Sequence, residues 1–81
     1  MSAAALRREK VLEFLQDHEY LCDAYYVALN IGMRQVMVEQ ALRQLARRGE
    51  VYRVEYADGF VQYMAITEDD EPQELHVMRK W

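Results

Sequence analysis

The sequence predicts a small α+β domain in which three helices precede a two-stranded antiparallel hairpin. Three observations predict it. Apolar residues recur at helical spacing through residues 3–48, breaker or capping residues (Asp23, Asn30, Gly49) divide that stretch, and residues 51–66 alternate apolar and polar about Asp58-Gly59. Eighty-one residues suffice for one core with little stability to spare, so one folded unit is expected over residues 1–67 and an acidic tail with an apolar end over residues 68–81.

The first helix is expected over residues 3–18, where Ala and Leu favour helix and Val11, Phe14, Leu15 and His18 share one face. Tyr20, Leu21 and Cys22 suit a very short strand. Asp23 then suits the N-cap of a second helix running to Leu29, because its carboxylate can accept an otherwise unsatisfied amide of the first turn. Asn30 is placed at the turn, since Asn tolerates the left-handed region better than other residues with a Cβ. A third helix is expected from about Met33 to Arg48, with Val38, Ala41, Leu42 and Leu45 inside and Gly49 ending it. Arg47 and Arg48 complement the dipole at its end.

A two-residue Asp58-Gly59 turn of type I′ would set Tyr56 opposite Val61, Val54 opposite Tyr63 and Tyr52 opposite Ala65, all six on one face. Arg53, Glu55, Phe60, Gln62 and Met64 would form the other. After Thr67 an acidic run and Pro72 break the pattern. Leu75, Val77, Met78 and Trp81 are too apolar for a purely solvated tail, which points to docking on the domain or on a second copy.

The net charge is −4, which opposes a protein held to nucleic acid by charge alone. Its distribution matters more. Residues 33–53 carry five arginines (34, 43, 47, 48 and 53) against Glu39 and Glu50, a local +3, whereas residues 68–74 carry five acids. Cys22 is the lone cysteine, so neither an intramolecular disulfide nor a Cys-rich metal site can form, and a reducing, cytoplasmic setting is expected. No apolar run is long enough for a bilayer, and the first residues lack the apolar stretch of a secretory signal. His18 and Cys22 stand four apart, but residues 19–21 break the helix between them, and His76 has no cysteine near it; no metal or other cofactor is expected. No Gly-rich phosphate loop, nucleophile elbow or His pairing with Ser or Cys is present, so an enzyme is not expected.

Taken together, residues 23–66 resemble the winged helix-turn-helix superfamily of DNA-binding domains, and in size the chain is similar to small stand-alone bacterial and phage transcriptional regulators. The likeness rests on element order, on Leu29-Asn30-Ile31 against the family's Leu-Gly-Val turn, on Leu42-x-x-Leu45, on Gly49 and on the Asp58-Gly59 wing. The interval from Ile31 to Val38 is slightly longer than usual, which leaves the start of the third helix open. The resemblance implies a third helix in the major groove of double-stranded DNA, with the wing beside it on phosphates, in a homodimer or with a partner protein.

Projected at 100° per residue from the buried set, Val36, Gln40, Arg43 and Arg47 point outward as candidate base readers. Gln suits adenine, Arg suits guanine and Val suits a thymine methyl. Arg48 and Arg53 are better placed for phosphates, and Arg34 lies toward the inner flank. Ordinary solvated arginines are the bland reading of that face. A second reading is a protein-interaction module on the same scaffold, using Met33, Val36 and Met37 as an apolar patch. Tyr25 and Tyr26 are expected in the core, with stacking or phosphate bonding as the alternative. The acidic tail fits either scheme, by competing with DNA or by meeting a basic partner.

Overall fold

The computed structural model describes residues 2–66, so the expected tail lies outside the described residues. Three helices, α1 (Ala3–Gln16), α2 (Ala24–Ile31) and α3 (Gln35–Arg47), precede strands β1 (Val51–Glu55) and β2 (Val61–Ala65). Ser2 caps α1 by accepting the Ala5 amide at 3.1 Å, and Asp23 caps α2 by accepting the Tyr26 amide at 3.3 Å. Both caps satisfy amides that the first turn leaves without a helical partner.

The end of α2 corrects the expected turn. Asn30 is helical, its side-chain amide donating back to the Tyr26 carbonyl at 2.8 Å, and Gly32 is the left-handed residue at φ 67°. The Met33 amide reaches back to the Ala28 carbonyl at 3.1 Å, the six-residue closure of a Schellman ending. Moving the turn two residues along accounts for the long interval before Val38, and α3 starts at Gln35 rather than Met33. The same closure ends α3, where the Glu50 amide donates to the Leu45 carbonyl at 2.9 Å past Gly49.

The hairpin turn also differs from expectation. The Tyr56 carbonyl accepts from Gly59 at 2.9 Å, the Tyr56 amide donates to Phe60 at 2.8 Å, and Gly59 has φ 91°. That is a three-residue loop, Ala57-Asp58-Gly59, with a type I turn and a Gly bulge. Asp58 accepts the Phe60 amide at 3.0 Å, which explains the acid without any ligand. Register therefore moves by one: Val51 pairs with Ala65, Arg53 with Tyr63 and Glu55 with Val61. In β2 the expected inward residues face the core. In β1 every side chain is on the other face, so Val51 is buried while Tyr52 and Val54 lie on the outer side. Of the short strand expected over Tyr20, Leu21 and Cys22, only Cys22 pairs, in an isolated bridge to Tyr63 with bonds of 2.8 and 2.7 Å.

The core joins Val11 and Leu15 of α1, Val27 and Ala28 of α2, the four expected residues of α3, and Val51, Tyr63 and Ala65. Helix α3 packs on both other helices, and the hairpin closes beside it. The architecture is a winged helix-turn-helix.

Candidate nucleic-acid interface

With Val38, Ala41, Leu42 and Leu45 buried, the helical period turns Val36, Gln40, Arg43 and Arg47 outward, and all four are exposed. Neither Arg43 nor Arg47 is in an ion pair among the described residues. The four expected readers thus share one open face.

Beside this face a cleft of about 250 Å³ separates α3 from the hairpin. Gln35, Glu39 and Arg43 form its α3 wall, Asp23 and Tyr25 its α2 end, and Arg53, Phe60 and Tyr63 its hairpin wall. Arg53 enters it because the observed register places it opposite inward-facing Tyr63. The Tyr63 hydroxyl, followed by the Glu55 carboxylate at 3.0 Å, raises the Arg53 pKa, so this guanidinium stays charged throughout the usable pH range. Glu39 accepts from the Gln35 side-chain amide at 3.1 Å. Two guanidiniums and two carboxylates therefore share the cleft, and the positive excess of this side comes from Arg47 and Arg34 outside it.

Two expected arginines lie elsewhere. Arg48 pairs with Glu50 at 2.8 Å and lines a separate hollow against α1 with Arg8, Glu9 and Leu12. On that flank the Arg8 guanidinium also donates to Gln44 at 2.6 Å. Arg34 occupies the N-cap position of α3 without a side-chain capping bond, and its exposed side chain borders a shallow hollow with Tyr25, Leu29 and Met33.

The expected Met patch is not open, because Met33 packs against the core and Met37 is half-buried. Tyr25 (58% exposed), Leu29 (68%) and Val36 (54%) are the most exposed apolar groups of the helix-turn-helix, and Phe60 (47%) stands on the wing. Tyr25 and Tyr26 thus leave the core, contrary to expectation. Helix α2 is apolar nearly all round, so its period could not show which side would be covered. Tyr26 instead joins Phe14, His18 and Tyr20 in an aromatic cluster, its hydroxyl 3.0 Å from that of Tyr20. Cys22 is buried, and burial pushes its thiol pKa up, away from a reactive thiolate. Among the described residues no group of three His, Cys, Asp or Glu side chains could hold a metal ion, and no helix is long and apolar enough to cross a membrane.

The chain matches no protein-family model and no curated protein. Solved structures share its fold. The Zalpha domain of Carassius auratus PKZ, determined in complex with Z-DNA, is 22% identical with a TM-score of 0.70, the match covering 80% of this chain and 100% of that one. A structure concerning the DNA-recognition and protein-interaction domains of HOP2 is 26% identical with a TM-score of 0.67, over 74% of this chain and 98% of that one. The Vibrio cholerae ferric uptake regulator, whose structure reports rearranged DNA-binding domains, is 25% identical with a TM-score of 0.65 over 78% of this chain. The match spans 53% of that regulator's length.

Proposed function

We propose that this protein binds double-stranded DNA and acts as a sequence-specific transcriptional regulator, with α3 in the major groove and the hairpin as a flanking wing. The observation that carries the reading is the open row Val36, Gln40, Arg43 and Arg47 on the third helix of a winged helix-turn-helix. Gln40 and Arg43 offer paired hydrogen bonds to adenine and guanine edges, Val36 a contact for a thymine methyl, and Arg47 a further base or phosphate contact. The comparison with structures described by their DNA complexes or DNA-binding domains supports the same partner. Arg53 joins Arg43 at the cleft as a phosphate contact, while Arg48, paired on the α1 flank, contributes less. A second copy or a partner protein supplies the second half-site, because one module of this size reads few base pairs. The reading includes no catalysis and no cofactor, and it implies an intracellular setting.

Anisotropy titration against genomic fragments at several salt concentrations tests it. Native protein is expected to select some fragments, and the Arg43→Ala, Arg47→Ala double variant to lose that selectivity, at about 1–3 kcal/mol for each base contact removed. Binding without sequence preference, or a double variant indistinguishable from native, rejects the proposal.

The exposed apolar group Tyr25, Leu29 and Val36 favours a second reading, a protein-interaction module. Leu29→Asp places a charge on that group while leaving the α3 row intact. Loss of a defined partner complex with unchanged DNA titration favours this reading, and an unaltered complex removes it.

A further inference from the structure

Groove reading by α3 leaves the aromatic walls of the adjoining cleft unused. Tyr25 and Phe60, both exposed, line it, Phe60 backed by a stacked Tyr56, and buried Tyr63 also lines it. Its volume, about 250 Å³, falls just below the roughly 300 Å³ at which pockets for drug-sized ligands begin, a scale suited to one heterocycle. Its charges are mixed. A bare phosphate chain meets repulsion from Glu39 and Asp23, and an apolar peptide would leave Arg43 without a partner, while Arg53 keeps its bond to Glu55. A nucleotide matches this mixture, with an anion for a guanidinium, a π face for the aromatic rings and N–H donors for Glu39, while Asp23 already accepts the Tyr26 amide.

We propose that the cleft between α3 and the wing takes a single unstacked nucleotide of a distorted duplex. Its base lies on Tyr25 and Phe60, its phosphate meets Arg53, and its Watson–Crick N–H donors are accepted by Glu39. Paired bases expose no ring face, so this contact requires a base that has left the stack. Leaving costs least where the base is already unpaired. Stacking on exposed aromatic side chains is the general mode of holding such bases. Glu39 further favours guanine, whose N1–H and N2–H present two donors to one carboxylate, over thymine, whose single N3–H lies between two carbonyls. The inference rests on the reading that the α3 side faces DNA.

The test uses the full chain with two labelled duplexes of one sequence, one fully paired and one carrying a single-guanine bulge. The bulged duplex is expected to bind about tenfold more tightly. Tyr25→Ala and Phe60→Ala, which truncate solvent-facing rings and so leave folding intact, are each expected to lower that ratio, and together to bring it near one without altering affinity for the paired duplex. Equal binding of both duplexes by the native chain, or a ratio that survives both truncations, overturns the inference while the paired-duplex reading stands. Binding to neither duplex overturns both. A thymine bulge that binds as tightly as the guanine bulge removes the role of Glu39.

Discussion

At the residue scale, Gly32 holds the turn between α2 and α3 through its backbone conformation. Its φ of 67° lies in the left-handed region, and a Cβ added there meets nothing within 4 Å, so the cost of Gly32→Ala is conformational rather than steric. The expected loss is about 1 kcal/mol, read as a fall in Tm of roughly 4–8 °C. Asn30→Ala, at the residue that local chemistry had suggested for the turn, is expected to leave Tm unchanged or slightly raised, since Asn30 is helical and Ala is the better helix former. Tyr20 gives a pH signature. Its bond to Tyr26 pushes its pKa up to about 12, so the folded state favours the neutral phenol. That contribution is complete below about pH 10 and disappears as pH rises toward 12. Absorbance titration of the native chain should show one tyrosine ionising late, and Tyr26→Phe should return it toward about 10.

At the element scale, helix α2 has only eight residues, too few to persist alone, so its cap and its packing hold it. Asp23→Ala removes the side-chain acceptor of the Tyr26 amide and is expected to cost about 1 kcal/mol, with faster amide exchange in the first turn of α2 as the local readout. Unchanged exchange there would show that packing alone suffices. The hairpin illustrates how local signals run out. Asp58-Gly59 marks the hairpin correctly, yet the pair serves equally as a two-residue turn and as the end of a type I turn with a bulge. The helix side settles the choice. Glu50 bonds to the Leu45 carbonyl and its own carbonyl accepts from Ile66 at 3.1 Å, which carries Val51 directly into the core. The burial of Val51 and the three-residue loop thus fix the parity of β1 together.

At the scale of the whole molecule, one small core holds every element. Leu42 is fully buried where α3 joins the common core, and Leu42→Ala is expected to cost about 2–5 kcal/mol. For a domain of 81 residues that is a large share of a total of roughly 5–10 kcal/mol, so urea unfolding should move to a much lower midpoint. The charges are distributed at this scale too. Residues 2–66 carry eight Lys and Arg against nine Asp and Glu, so the folded part is nearly neutral, and on the exposed side of α3 the positive charge comes from Arg43 and Arg47. Any DNA affinity should therefore depend strongly on a few arginines.

The sequence by itself determined the three helices, the hairpin, the buried face of α3 and the outward row Val36, Gln40, Arg43 and Arg47. Each depends on periodicity or on a capping residue acting within a few positions along the chain. Only the tertiary structure decided which side of α2 is covered, which face of β1 turns inward, and that Arg53 comes beside Arg43 while Arg48 is drawn to α1. Those outcomes depend on which distant element arrives to cover a surface. A helix apolar all round, or a strand that either parity could bury, carries no local record of that choice.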